Sequence, residues 1–161
     1  MKSIQKLKIA ICSDHAGYAL KQIIIKYLNE KKVSDLKDFG SYTSESCDYA
    51  DFAHPMASAV ENNEFDYGIS ICGSGNGISM TVNKHQGIRA ALCWSEEIAA
   101  LARQHNNANV LSLPARFVTV EAALKMVDVF FSTDFEGGRH QKRIDKISLK
   151  PHLFNLKINS H

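Results

Sequence analysis

This sequence lacks the marks of a membrane, secreted or metal-binding protein. No apolar run reaches membrane-spanning length, and the first apolar stretch stops at Asp14-His15, too early for a signal peptide. The four cysteines include no C-x-x-C pair, so neither a zinc cluster nor a redox pair is indicated. We therefore expect a protein of the reducing cytoplasm that has no membrane partner.

An excess of charge of one sign is also missing. The 19 lysines and arginines are spread along the chain and nearly balance 17 acidic residues, for a net charge of +2. A nucleic-acid surface needs clustered basic residues, so none is expected, whereas a small anionic substrate is compatible with this balance. The 161 residues are enough for one domain, placed at 1–150, with a C-terminal tail at 151–161 that lacks a clear period.

Strand and helix patterns alternate along the chain. Strands are predicted at 8–13, 33–39, 67–71, 89–94 and 109–113, and the main helices at about 18–31, 52–61, from Ser95 to about 106, and 120–130. Buried strands separated by amphipathic helices are typical of an α/β protein whose parallel sheet is covered on both faces. Ligands of such sheets bind outside the carboxyl ends of the strands. We therefore expect Asp14-His15, the segment after Cys72, and Ser95 to cluster there.

The most informative segment is the loop Gly73-Ser74-Gly75-Asn76-Gly77, which separates the thiol of Cys72 from a short helix. Alternating glycines let backbone N–H groups converge on an anion, and the start of the helix adds its positive end. That field favours a reactive thiolate, so a base beside an oxyanion site is predicted. A purely structural turn is the alternative. A dinucleotide or triphosphate site fits less well, because the loop matches neither G-x-G-x-x-G nor the G-K-[ST] ending.

Several residues have both a structural and a functional interpretation. Cys72 would be inert if it were merely packed in the core, as we expect for Cys12 and Cys93. Asp14 would either cap a helix or, together with His15, move protons at a sugar oxygen. The residues alone do not decide between these interpretations.

The same holds for two segments in the second half of the chain. His105 ends a helix, where an imidazole often only satisfies terminal carbonyls. Arg139 and Arg143 are four residues apart on one face of a helical turn, where they would either face solvent or hold a phosphate between two guanidinium groups.

Taken together, these residues resemble the type B ribose-5-phosphate isomerase family, which also contains the galactose-6-phosphate isomerase subunits. The resemblance covers about residues 7–146. The matching segments follow in the family's order: Ser13-Asp14-His15-Ala16-Gly17, Asp48-Tyr49, Cys72 to Gly77, Asn83-Lys84, Gly87 to Ala91, Arg103 to Asn106, Asn109 to Leu111 and Gly137 to Arg143.

The resemblance implies a three-layer, Rossmann-like α-β-α domain with a five-stranded parallel sheet. It also implies a homodimer or homotetramer whose sites are shared across a subunit interface, with no metal and no organic cofactor. The implied reaction interconverts ribose 5-phosphate and ribulose 5-phosphate through an enediolate, as in the non-oxidative pentose phosphate pathway.

Residue roles follow from the same resemblance. The implied catalytic residues are Cys72, Ser74, His105 and Asp14. The implied substrate-binding residues are His15, Tyr49, Gly73, Gly75, Asn76, Gly77, Asn106, Arg116, Arg139 and Arg143. Cys72 would be the base and the glycine loop would stabilise the enediolate, while Asp14 and Ser74 would assist ring opening. His105, Asn106 and Arg116 would come from the partner chain, whereas Arg139 and Arg143 would hold the phosphate in their own chain.

Three positions depart from the family's usual pattern: Ala50 follows Asp48-Tyr49 where proline is common, Ser74 replaces a frequent threonine, and Pro114 replaces a frequent glycine. None of these departures removes a reacting group, but they bear on substrate preference. A six-carbon substrate such as galactose 6-phosphate or allose 6-phosphate is therefore an alternative. A non-catalytic sugar-phosphate or nucleotide-binding module of the same architecture is a further one.

Overall fold

The computed structural model of the protein describes residues 3–149, so the predicted tail at 151–161 lies outside the described residues. After one 3-10 turn at Ile4–Lys6, strands and helices alternate in the order β1, α1, β2, α2, β3, α3, β4, α4, β5, α5, α6. The strands are β1 Lys8–Ser13, β2 Asp35–Asp38, β3 Tyr67–Cys72, β4 Ala90–Leu92 and β5 Val110–Pro114. The helices are α1 Tyr18–Glu30, α2 Tyr49–Glu61, α3 Asn76–Val82, α4 Glu96–Asn106, α5 Val120–Ser132 and α6 Arg139–Ile144. Within residues 3–149, no helix is long and apolar enough to cross a bilayer.

The five strands form one parallel sheet with the order β2-β1-β3-β5-β4. The chain moves outward from β1 to β2 and then returns to the other side of β1 as β3. The strand order therefore reverses between β1 and β3, which is where open α/β sheets bind their ligands. The predicted five-stranded parallel sheet is confirmed. Ser95 follows the carboxyl end of β4 and so lies at the predicted edge, two strands away from β3.

Alternating side chains of each strand enter two separate hydrophobic layers. Ile9 and Ile11 of β1 pack with α1, α4 and α5 on one face, whereas Ala10 and Cys12 pack with α2 and α3 on the other. Successive residues of a strand point to opposite faces, so both faces of the sheet must be covered. The three-layer α-β-α architecture is confirmed.

Local capping signals place the two helices that follow β4 and β5. The Ser95 hydroxyl accepts a hydrogen bond from the Ile98 N–H at 3.3 Å, and the Thr119 hydroxyl accepts one from the Ala122 N–H at 3.1 Å. Both are N-caps of the expected kind. The start predicted for α2 at residue 52 is wrong by three residues. The helix already begins at Tyr49 and continues through Pro55.

A buried arginine fixes the end of α4. Arg103 is 5% exposed, and its guanidinium donates to the Ala108 and Thr133 carbonyls, the Asn107 side chain and the Tyr67 hydroxyl. Burial lowers the pKa of Arg103, because a charged group is destabilised when it is removed from water. Arg103 therefore joins α4, β3 and the segment after α5 through bonds that no apolar side chain could replace.

We predict that Arg103→Met lowers the free energy of unfolding by about 3 kcal/mol, because several buried acceptors lose their donor at once. Urea denaturation followed by circular dichroism measures this difference. Lys125→Met is the control, since Lys125 is exposed and pairs with Glu121 one turn away on its own helix; it should change the free energy by less than about 0.5 kcal/mol. Equal stability of the two variants would contradict the role given to Arg103.

A second network joins α2 to the segment before β4. Glu61 accepts hydrogen bonds from the Gly87 N–H at 2.7 Å and from the His85 imidazole at 3.1 Å, and His85 meets His54 at 3.0 Å. The Gly87 N–H, and then His85, hold the pKa of Glu61 below its usual range. The ionised form of Glu61 is therefore the one that stabilises the fold.

The lowered pKa of Glu61 determines how its contribution to stability depends on pH. Because the pKa of Glu61 is lower in the folded than in the unfolded state, its contribution is present above the unfolded value near 4.5 and is lost as the pH falls. We predict that Glu61→Gln destabilises the protein by about 1 kcal/mol at pH 7 and that the difference shrinks towards pH 3. Urea titrations of both proteins at the two pH values test this; a difference that grows on acidification would refute it.

Candidate active site

Three loops meet at the carboxyl edge of the sheet, beside the point where the strand order reverses. The Asp14 N–H donates to the Ile71 carbonyl at 3.1 Å, which ties the loop after β1 to β3. The Arg116 N–H donates to the Gly73 carbonyl at 3.0 Å, which ties the loop after β5 to the glycine loop. The structure thus brings together the thiol segment, an acidic side chain and an arginine.

Two glycines of the loop are required by packing. Gly75 has a φ of +74°, and a Cβ there would lie 2.3 Å from Leu92 Cδ1. A Cβ on Gly77 would lie 2.5 Å from Cζ of Tyr49, whose ring covers this glycine. A side chain at Gly75 is strained because of its positive φ and its backbone neighbours, whereas one at Gly77 would displace the Tyr49 ring. This contact also brings Tyr49 to the loop, as the resemblance implied.

Gly73 differs from the other two loop glycines. A Cβ at Gly73 would meet Arg116 Nη1 at 3.4 Å and Ala16 at 3.5 Å, which are ordinary contact distances. The guanidinium of Arg116 therefore lies beside the glycine loop of its own chain. Ser74 and Asn76 are exposed on this loop, and the Ser74 hydroxyl accepts a hydrogen bond from the Asn76 N–H at 3.3 Å.

The four cysteines are free, and they occupy different environments. Cys12 and Cys93 are fully buried, and burial raises the pKa of Cys12 far above its usual range and that of Cys93 to about 12. Both thiols are therefore protonated at neutral pH, as expected for core residues. Cys72 ends β3 next to the exposed Ser74 and is 4% exposed, whereas Cys47 is half-buried.

Asp14 and His15 each have a partner in the fold. The Asp14 carboxylate accepts the Gly17 N–H at 2.9 Å, which stabilises the turn before α1; the N-cap of that helix is Gly17 and not Asp14. His15 Nδ1 lies 3.3 Å from the Cys47 N–H, which places the imidazole against the segment before α2. Nδ1 also lies 3.3 Å from the Cys47 carbonyl oxygen. In the tautomer in which Nδ1 accepts from the Cys47 N–H, the proton is on Nε2 and can be donated to an anion; in the other tautomer, Nδ1–H donates to the carbonyl and Nε2 is an acceptor.

A buried lysine holds that segment, and the sequence analysis missed it. Lys21 is 0% exposed, and its ammonium group donates to the Asp38 carboxylate at 2.5 Å and to the Ser41 carbonyl at 2.6 Å. A lysine on the buried stripe of α1, three and seven residues before Ile24 and Leu28, was the available signal. Lys21 connects α1, β2 and the start of the segment that reaches His15.

A second group of predicted residues lies elsewhere in the chain. His105 is near the carboxyl end of α4, and its ring stacks on that of His140 in α6 at 4.3 Å. The Glu136 N–H donates to the Gln104 carbonyl at 3.0 Å, which fixes the segment before α6 against α4. Arg139 and Arg143 belong to this second group because they lie on α6, the helix of His140, and both are exposed. Asn106, the last residue of α4, belongs to it as well.

The topology separates the two groups within one chain. Helix α4 starts at the carboxyl edge of the sheet and runs back to the amino edge, where β5 begins. The five residues of β5 span about 17 Å, so His105 lies roughly that far from the edge that carries Cys72. A partner chain that supplies His105 must supply Arg139 and Arg143 as well. Within one chain, Arg116 lies beside the glycine loop that follows Cys72, whereas Arg139 and Arg143 lie with His105; this grouping differs from the division between subunits that the resemblance implied.

The amino edge also contains a cavity of about 340 Å³, lined by Tyr67, Arg89 and Arg103 among others. Its arginines are committed to the fold: the Arg89 guanidinium donates to the Asn106 and Asn107 carbonyls, and Arg103 has the partners described above. We assign this cavity to the architecture around the end of α4, because both guanidinium groups already bind backbone carbonyls of the fold.

Comparison with known proteins agrees with the fold and the motifs. A family described as Ribose/Galactose Isomerase matches residues 9–147. A probable ribose-5-phosphate isomerase B of Mycoplasma genitalium is 51% identical, covering 86% of this chain and 92% of the relative. The ribose-5-phosphate isomerase B of Escherichia coli is 45% identical, covering 88% and 94%.

Solved structures give the same result. A ribose 5-phosphate isomerase from Thermotoga maritima superposes with a TM-score of 0.86 at 48% identity, covering 88% of this chain and 97% of its own. The Mycoplasma genitalium ribose-5-phosphate isomerase B with bound ribulose 5-phosphate superposes with a TM-score of 0.82 at 46% identity, covering 95% and 97%. The chain belongs to the ribose/galactose isomerase family.

Proposed function

We propose that this protein interconverts ribose 5-phosphate and ribulose 5-phosphate, with Cys72 as the base. The observation that carries the proposal is the junction of three loops at the strand-order reversal, where Cys72, the glycine loop, Asp14 and Arg116 lie together. The similar protein with bound ribulose 5-phosphate supports the choice of a five-carbon substrate.

The reaction needs a base and a group that stabilises negative charge. The Cys72 thiolate removes the proton from C2 of the open-chain aldose, and the C–H electrons form the C1–C2 double bond while charge moves to O1. Backbone N–H groups of the glycine loop stabilise that oxyanion; one such donor is typically worth about 3 to 4 kcal/mol in other enzymes. The thiol then returns the proton to C1, and the O2 proton moves to O1, which gives the ketose.

Ring opening and phosphate binding use the neighbouring side chains. Asp14 and Ser74 assist opening of the furanose, with His105 of the partner, and Tyr49 lines the pocket. The phosphate is held by His15 and Arg116 of one chain and by Arg139 and Arg143 of the other. Anchoring the phosphate orients C1 and C2 at the thiolate, so remote binding energy aids the chemical step.

This assignment requires at least a dimer, since the two groups lie at opposite edges of one chain. We propose a homodimer or homotetramer in which each site takes its thiol from one subunit and its imidazole from the next. The cytoplasmic location and the place in pentose phosphate metabolism remain predictions.

A substrate panel tests the proposed function. We expect the purified protein alone, in the presence of EDTA, to interconvert the two pentose phosphates with a higher kcat/KM than for galactose 6-phosphate or allose 6-phosphate. A preference for a hexose phosphate would replace the substrate but keep the chemistry. Tight binding of ribose 5-phosphate without turnover would instead indicate a non-catalytic binding module.

The loop held by Lys21 gives a further prediction. Lys21→Met removes the buried ammonium donor from Asp38 and from the Ser41 carbonyl, so the segment that contacts His15 loses one of its anchors. We expect KM for ribose 5-phosphate to rise about tenfold with a smaller change in kcat, and the free energy of unfolding to fall by about 3 kcal/mol. Steady-state kinetics and urea denaturation measure both; an unchanged KM would mean that Lys21 serves the fold alone.

A further inference from the structure

The stacked histidines near the end of α4 belong to a cluster of which the proposed reaction uses only His105. His105 and His140 lie face to face with an interplanar angle of 10°, and both Nε2 atoms approach Glu136 Oε2, at 4.0 and 3.5 Å. One ligand atom from each of these three side chains lies within 4.8 Å of the others. Two imidazoles and one carboxylate are a common set of protein ligands for zinc in sites that keep a fourth position open.

We propose that His105, Glu136 and His140 bind a divalent transition-metal ion of the Zn²⁺ or Co²⁺ class. Nitrogen and carboxylate donors suit such ions better than they suit Mg²⁺ or Ca²⁺, which prefer oxygen ligands. In a tetrahedral zinc site with bonds of about 2.1 Å, the ligand atoms lie about 3.4 Å apart. The two separations from Glu136 exceed that spacing by about 0.1 and 0.6 Å, and all three ligand atoms lie within 4.8 Å of one another. Because the two imidazoles are stacked nearly parallel, the exposed His105 ring must rotate about χ2 before both nitrogen lone pairs point at one ion.

The surrounding structure holds the three side chains in place without blocking them. The His140 side chain is 7% exposed, whereas the side chains of His105 and Glu136 are 38% and 52% exposed, so an ion could enter from the solvent side. The backbone bond from Glu136 to Gln104 fixes the two segments relative to each other. Arg139 and Arg143 add positive charge nearby, so we expect micromolar affinity rather than that of a structural zinc site.

Metal binding would also regulate the enzyme, and this consequence rests on the proposed function. If His105 acts in the partner's site, an ion bound to its Nε2 removes the lone pair that proton transfer needs. Zn²⁺ would then inhibit the isomerase, and EDTA would restore activity. The ion would be an inhibitor and not a cofactor.

Co²⁺ titration of the intact protein, followed by visible absorption, tests the site. We expect one ion per chain with d–d bands and without thiolate charge transfer, and affinity at least about tenfold weaker in Glu136→Gln and His140→Ala. Glu136 is exposed, so its variant should fold even where His140→Ala does not. His54→Ala, which removes an exposed histidine from the other histidine pair, should bind as the wild type does. Thiolate bands, or loss of binding only in His54→Ala, would overturn the site.

Zn²⁺ inhibition is measured as the ratio of activity with and without the ion. It distinguishes failure of the metal site from failure of the proposed function. Inhibition that is reversed by EDTA and weakened about tenfold in Glu136→Gln supports both the site and its regulatory role. Equal inhibition of wild type and Glu136→Gln would place the inhibitory ion elsewhere, for example on Cys72, and overturn the regulation. Co²⁺ binding without Zn²⁺ inhibition would overturn the role of His105 while the site stands. Absence of Co²⁺ binding would overturn the site and leave the isomerase assay unaffected.

Discussion

Replacing Cys72 by alanine should lower kcat for the ribose 5-phosphate reaction by at least about a thousandfold, because the proposed base is lost and no neighbouring group has its position. KM should change little, since the phosphate is held by other residues. Cys72 ends β3 with its backbone carbonyl bonded to the Ala115 N–H, a contact that alanine retains. Coupled-enzyme assays in both directions measure the effect.

Cys47→Ala is the matched control for this variant. Cys47 is a half-buried thiol that lies near His15, and its N–H bond to the imidazole does not need the side chain. We expect that variant to keep most of the activity and Cys72→Ala to unfold at nearly the wild-type urea concentration. Activity retained by Cys72→Ala would remove the thiol from the mechanism, and equal losses in both variants would point to a general effect of thiol removal.

Mixing two inactive variants should restore activity if the site is shared. Cys72→Ala lacks the base, and His105→Ala lacks the imidazole that the partner supplies. In a mixed dimer, one site combines both defects and the other has neither. Refolding the two variants together in equal amounts makes about half of all dimers mixed, so about a quarter of the wild-type activity should return.

The positions of the arginines allow a second test in the same experiment. Because Arg139 and Arg143 lie beside His105, Arg143→Ala should also complement Cys72→Ala, whereas Arg116→Ala should not. Refolding each variant alone is the control for simple renaturation. If His105 served the site of its own chain, the mixture of Cys72→Ala and His105→Ala would stay inactive; complementation by Arg116→Ala would contradict the placement of Arg116 beside its own glycine loop.

Sequence patterns were most informative where the determinants are local. Ser95 and Thr119 accept hydrogen bonds from N–H groups three residues further on. The starts of α4 and α5 could therefore be predicted from the residue types at a few positions. The position of Cys72 beside Asp14 also followed from sequence, because parallel strands place all their carboxyl ends at one edge.

Other features depend on contacts between distant parts of the chain. Gly75 and Gly77 also pack against Leu92 and Tyr49, which are contacts that no local pattern reveals. The grouping of the arginines within one chain could not be predicted for a related reason. The order of the motifs identifies the candidate site residues. Only the path of α4 across the sheet shows at which edge His105 lies.

Exchange of solvent deuterium into the substrate tests the central claim most directly. Ribose 5-phosphate incubated in D₂O with the wild-type protein should acquire deuterium at C2, seen as loss of the C2 proton signal by NMR, because a base that removes and returns this proton exchanges it with solvent. With Cys72→Ala, the C2 proton should persist. The central claim is that the Cys72 sulfur atom carries this proton. Exchange at the wild-type rate in the alanine variant would contradict the claim. Wild-type turnover that leaves both C2 and C1 free of deuterium would also contradict it.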